Sequence, residues 1–157
     1  MITTVVESWI EAPVKRFVED AGVELALLLH PSGQVLAQYG FARSMDVMSA
    51  CALAAGIHAT GGELGRLIDD KPFRGLHHVG VTRQMFVAEA RSPRGAYIFL
   101  TVFGQESSIG LVRLYFDELV AGLAAAAPSE GPAPAPALAE HFEQDLNRSL
   151  AVLFGRA

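Results

Sequence analysis

MDVMSACALAAGIHATGGELGRLIDD, residues 45–70, is the stretch whose reading decides the fold. Its spacing predicts one long helix with two unlike faces. Leu53, Ile57, Leu64 and Leu67 recur at three- and four-residue intervals (through Thr60), a bulky stripe expected to press on a sheet. Cys51, Ala55, His58, Ala59 and Gly62 make a second stripe of small residues. Helical residues advance by about 100° each, so Ala55 lies ~200° from Leu53 and the second stripe points away from the first. Solvent faces of helices are normally rich in Lys and Glu, yet nothing between Asp46 and Glu63 carries a fixed charge. Glycine costs roughly 1 kcal/mol against alanine in a helix interior, so these glycines are not filler. Small residues admit a second backbone, and the expectation is that this face meets another protein chain.

The whole chain has 157 residues, enough for one sizeable core but hardly two. Its 51% apolar and 18% charged content describes a globular domain, and a net charge of -5 argues against nucleic acid or an anionic membrane as partner. No apolar run approaches ~20 residues, so no membrane insertion is expected. The opening MITTVVESWIEAP has acids where a signal peptide needs basic residues, which predicts a cytoplasmic protein. The single cysteine, Cys51, excludes an intrachain disulfide and a cysteine-based zinc site, and reads as a small apolar residue in a packed face.

Around the long helix the other elements fall into order. Val5, Val6, Trp9, Ile10, Val14, Phe17 and Val18 predict an opening helix that is short, kinked or restarted at Pro13 and ended by Gly22. VELALLLH and QVLAQYG, joined by Pro31-Ser32-Gly33, predict a hairpin, and Ser44 is the expected N-cap of the long helix. Lys71-Pro72 stop that helix. Residues 73–81, 85–91 and 96–103 predict a three-strand meander, with AYIFLTVF central, and Ser107-Ser108 cap a helix running to about Ala126. The expected fold is an α/β sandwich: a five-stranded antiparallel sheet in strand order 2-1-5-4-3, the long helix on one face and two helices on the other. Its third strand is an open edge, a template for pairing with another chain in a two-fold dimer. The domain is expected over residues 1–127. A Pro/Ala-rich linker at 128–137 and an amphipathic helix at 138–157 follow, the latter with Leu138, Phe142, Leu146, Leu150, Leu153 and Phe154 on one side.

Chemistry is sparse. There is no G-x-x-x-x-G-K-[ST] loop, and Gly61-Gly62 sit inside a helix with no Lys after them. His77 and His78 are adjacent on a strand and point to opposite faces, so they do not chelate one ion. His58, among alanines and glycines, reads as a satisfied interface residue. Ser107 and Ser108 lack a nucleophile elbow. Arg83, Arg91 and Arg94 stand near hairpin ends. No nucleophile, base and oxyanion donor come together, so no catalytic residue, metal or cofactor is expected.

ACALAAGIHATGGELGRLI, FRGLHHVG and AYIFLTVFGQESSIGLVRLYFDEL together resemble the roadblock (dynein light-chain-like) family, closest to its bacterial MglB-like members. Ser107 to Leu114, SSIGLVRL, is the most specific piece, and the similarity runs over roughly residues 15–125. Gly104 departs from it, standing where an acidic residue commonly follows the last strand. The resemblance implies a homodimer joined at edge strands, its paired long helices forming a platform for a Ras-like (MglA-like) small GTPase. It implies a GTPase-activating regulator without catalytic residues of its own, stimulating hydrolysis or modulating nucleotide exchange in cell polarity or gliding motility. On family position, Ala55, His58, Ala59, Gly62 and Arg66 face the GTPase, and Cys51, His77, Val79 and Val81 belong to the dimer interface. A scaffold or adaptor module and a small-ligand sensor are the alternatives. Scaffold and regulator are not separable by sequence.

Overall fold

The structure is a computed structural model that describes residues 4–41 and 44–129, with isolated positions 148 and 151. The chain divides into the unit Met1–Ala127 and a second unit, Pro128–Ala157. The expected linker and tail helix lie almost wholly outside the described residues, as do positions 42 and 43, where a cap for the long helix would be judged.

In chain order the elements are β1 (Thr4–Val5), α1 (Ser8–Ala21), β2 (Leu25–Leu29), β3 (Val35–Tyr39), α2 (Ser44–Asp69), β4 (Gly75–Val79), β5 (Gln84–Ser92), β6 (Gly95–Phe103) and α3 (Ile109–Ala126). They form one sheet, ordered β1-β3-β2-β6-β5-β4, with every neighbouring pair antiparallel. Five strands stand in the expected order, and the sixth is a correction. Thr4 and Val5 pair with Gln38 and Ala37 of β3 instead of opening the helix. The β-branched run Ile2 to Val6 was the available signal, since such residues favour an extended pleat over a helix start.

Both faces of the sheet are covered, which explains why β2 and β6 are apolar without alternation. On one face Ile10, Val14 and Phe17 of α1 and Val112, Leu119 and Leu123 of α3 meet Ala26, Leu28, Ala88, Phe99 and Phe103. On the other, Val47, Cys51 and Ala54 of α2 meet Leu27, Leu29, Val87, Ile98 and Leu100. Thr101 is fully buried in β6 and is satisfied by donating to the Leu25 carbonyl at 2.7 Å. Phe17 and Phe99 meet edge to face at 4.8 Å, and Phe116 bridges Phe86 and Phe99, so aromatic contacts link the helix pair to β5 and β6.

Pro13 does not interrupt α1, which runs unbroken from Ser8 to Ala21. A proline in the second turn deletes one hydrogen bond, and here its ring sits against α3, where a Cβ on Gly122 would lie 3.3 Å from Pro13 Cβ. Gly22 ends the helix with φ 62°, a left-handed cap. Ser107 Oγ then donates to the Ala21 carbonyl at 2.5 Å, and Ser108 caps α3 by accepting from Leu111 N. The start of one helix is thereby tied to the end of the other.

The largest correction concerns α2. Mainly small residues face the sheet, with Val47, and of the expected bulky stripe Ile57 alone packs against it, half-buried. Cys51, Ala54, Gly61, Gly62 and Gly65 are buried, while Leu53, Leu64, Leu67 and Ile68 are exposed. At the C-terminal half of the helix the reason is close approach by the segment that follows it, residues 71–76. A Cβ on Gly65 would lie 2.4 Å from the Phe73 backbone nitrogen, and one on Gly61 would lie 2.7 Å from Leu76 Cδ1. The backbone that the glycines admit belongs to this same chain.

Two glycine substitutions separate packing from propensity. Gly56 is exposed with no neighbour within 4 Å, so Gly56→Ala should raise stability by about 0.5–1 kcal/mol. Gly65→Ala, driven against backbone, should lower it by roughly 1–3 kcal/mol. Urea unfolding followed by circular dichroism measures both; equal midpoints would refute the close contact at Gly65.

Candidate partner-binding surface

With its small face spent on the sheet, α2 presents two flanks and an outer ridge. At about 100° per residue, Leu53, Ile57 and Leu64 fall on one flank, and Met48, Ala55, Ala59 and Arg66 on the other. Leu67 is 84% exposed and Met48 73% exposed, values far from those of core residues. β4 lies at the end of the sheet and pairs only with β5, so its outer side is open among the described residues. Val79 at its end and Val81 in the following turn are exposed as well. Clustered apolar exposure beside an unpaired strand is the mark of an interaction surface.

The expected site residues divide accordingly. Ala59 and Arg66 are exposed on α2, and Arg66 is paired with Glu63 on its own helix. Ala55 and His58 are half-buried, with His58 Nε2 3.4 Å from Glu89 Oε2 on β5. Glu89 holds Arg91 Nε with its other oxygen at 2.6 Å. Gly62 is buried beside Pro72 and is not on a free face. Cys51 is 4% exposed and packs among Leu27, Leu29 and Val87, which removes it from a surface between chains. Burial also pushes its thiol pKa up, partly offset by its backbone hydrogen bond.

His77 lies on the α1/α3 face of β4. It stacks on Phe103 with ring centres 6.2 Å apart and shares a 2.7 Å hydrogen bond with Gln84. His78 stands opposite Met85 and faces the other way. Arg83, Arg91 and Arg94 are not one cluster. Arg83 precedes β5 and pairs with Glu24, while the other two sit at the far end of that nine-residue strand, about 25–30 Å away at ~3.3 Å per residue. No group of three or more His, Cys, Asp or Glu placed to hold a metal occurs among the described residues. Nor is any described helix long and apolar enough to cross a membrane.

Sequence reasoning missed Met48, Leu53, Leu64, Leu67 and Ile68 as surface residues. The signal was available in Ala54, Gly61 and Gly65, which share one side of the helix and leave room for a sheet pressed close.

An antiparallel sheet with one long helix on one face and a helix pair on the other defines a roadblock-type α/β domain, and this chain has the roadblock family fold. Among solved structures it is similar to Myxococcus xanthus MglB, at 25% identity and TM-score 0.67 over 76% of this chain and 95% of that one. It is also similar to the gliding protein MglB of Thermus thermophilus, at 23% identity and TM-score 0.65 over 81% and 98%. A Roadblock/LC7 domain from Streptomyces avermitilis matches at 22% identity and TM-score 0.60 over 68% and 88%. No protein-family model and no curated protein matches the chain.

Cys51 is the sole thiol and reports on which face of α2 is covered. In the native protein it should react with an aromatic disulfide reagent at least roughly a hundredfold more slowly than in urea, because buried thiols are inert. Equal rates would put the small-residue face back in solvent.

Proposed function

We propose that the protein is a homodimeric regulator of a Ras-like small GTPase, stimulating hydrolysis or modulating nucleotide exchange without a catalytic group of its own. The observation that carries this reading is the pairing of a bulky apolar flank on α2 with a free β4 edge. Two copies joined antiparallel at β4 make one continuous sheet, with their α2 helices side by side through Leu53, Ile57 and Leu64. The likeness to Myxococcus xanthus MglB supports the regulator reading. A cytoplasmic role in cell polarity or gliding motility belongs to this proposal.

The GTPase platform is then the flank that the dimer leaves open. Ala55 and Ala59 allow close approach, and Arg66 is the basic residue available to an acidic switch segment. His58 supports this surface from below through Glu89. Arg83 and Arg91 are held by Glu24 and Glu89, which does not suit a mobile arginine finger.

Leu53→Glu with Leu64→Glu should convert the dimer to a monomer by sedimentation, with helix content kept, because both side chains are exposed within one chain. A dimer that survives this pair is not built on that flank. For activity, GTP hydrolysis by a Ras-like GTPase is measured with and without the protein. Ala59→Arg and Arg66→Glu should each abolish most of the stimulation with unchanged melting. Single Arg83, Arg91 or Arg94→Ala changes should cost far less than the ~10³-fold loss expected for a finger. Binding of the GTPase with no change in hydrolysis or exchange would establish the scaffold reading instead.

A further inference from the structure

The α1/α3 face of the sheet is not covered to its end. α3 rests on β5, β4 extends the sheet beyond it, and a groove of about 510 Å³ opens between them. Gly75, Phe86 and Ala88 form its floor, and Phe116 and Val120 of α3 its wall. Arg74 and Arg113 stand on opposite sides of it.

Those two arginines differ from four others. Arg16, Arg66, Arg83 and Arg91 each have a carboxylate within 4 Å, whereas Arg74 and Arg113 have none among the described residues. Arg94 has none either, but it stands in the exposed turn between β5 and β6 and lines no groove. Asp117 lies one turn along from Arg113, and Glu89 is already shared by His58 and Arg91. In a chain of net charge -5, two unneutralised guanidinium groups across one apolar groove are the exception.

We propose that this groove docks an acidic amphipathic helix supplied by a partner protein. Its apolar stripe would cover the half-buried Phe116 and Val120, and carboxylates on its flanks would meet Arg74 and Arg113. A helix is the fitting shape because α1 and α3 already lie side by side on this face. Helices pack at 8–10 Å spacing, so the strip over β4, beyond α3, is the next slot in that layer. The charge pattern selects acidic flanks over basic ones. This face is opposite α2, so the proposal stands apart from the GTPase platform.

The test is fluorescence anisotropy with the full chain and two labelled synthetic peptides of about 18 residues, long enough for a helix to form on docking. Both carry a Leu/Phe stripe at helical spacing, one with Glu flanks and its twin with Lys flanks. The parent chain should bind the Glu peptide saturably and prefer it over the Lys twin. Arg74→Glu with Arg113→Glu should weaken the Glu peptide by roughly tenfold or more and turn the preference toward the Lys twin. Val120→Trp, which fills the groove, should weaken both peptides, with thermal melting confirming that each variant is folded. Equal binding of the twins, or indifference to the double charge reversal, overturns the proposal. So does absence of saturable binding by the parent chain. If that absence comes with faster proteolysis of residues 128–157 in the double variant, the occupant is the chain's own tail and not a partner.

Discussion

The small face that α2 turns to its own chain is the constraint on which the rest depends. At Gly65 no side-chain atom fits, since a Cβ would meet the backbone of Phe73, in the segment that follows the helix, at 2.4 Å. A helix face made of such small residues contributes little bulk to the core beneath it. Cys51, Ala54 and the glycines fill only a thin layer, and the large side chains of β2, β5 and β6 supply the remainder. The bulky residues of α2 are left outside. Burying a side chain such as Leu is worth about 1.5–3 kcal/mol, so the exposed flank is a standing drive toward association, created by how the monomer solves its own packing.

The opposite layer is built in a different way. Two helices share it, so larger side chains are needed to fill the corners where helices and sheet diverge. Phe17, Phe99, Phe86 and Phe116 do this, with edge-to-face geometry between Phe17 and Phe99 and between Phe86 and Phe116. Polar anchors then fix the register of the layer. Ser107 closes α3 onto the end of α1, and Arg83 with Glu24 joins the β4–β5 turn to the start of β2. That ion pair is largely exposed, and its contribution to stability is correspondingly small, about 0–1 kcal/mol. Its effect is on geometry more than on energy.

The element order, the antiparallel sheet, the strand order of its five main members and the sides taken by the helices were all legible in the sequence. Hydrophobic periodicity and turn chemistry report those directly. The faces of α2 were not, because periodicity finds two stripes without saying which is inside. The usual rule that bulk faces inward fails when the chain after a helix folds back against it, and Gly61 and Gly65 mark that exception. Gly62 and Cys51 were placed outside for the same reason. Pro13 misled because proline's cost depends on where in the helix it stands and on what meets its ring, here Gly122 of α3. The exposed β4 edge was legible from topology alone. Its use by a second chain is a matter of chemistry between molecules.

The two edges of the sheet are unequal, and the inequality shapes what association is possible. Among the described residues β1 contributes Thr4 and Val5, and the chain turns into α1 within three residues. They cover β3 at Gln38 and Ala37. β4 has five residues and nothing beyond it among the described residues. With both edges open, copies would add head to tail and the sheet would grow without limit. In the proposed dimer, β4 of one copy pairs with β4 of the other. That contact is the same patch on both partners, so it closes on a two-fold axis. A self-complementary edge of this kind gives a finite assembly and not a fibre.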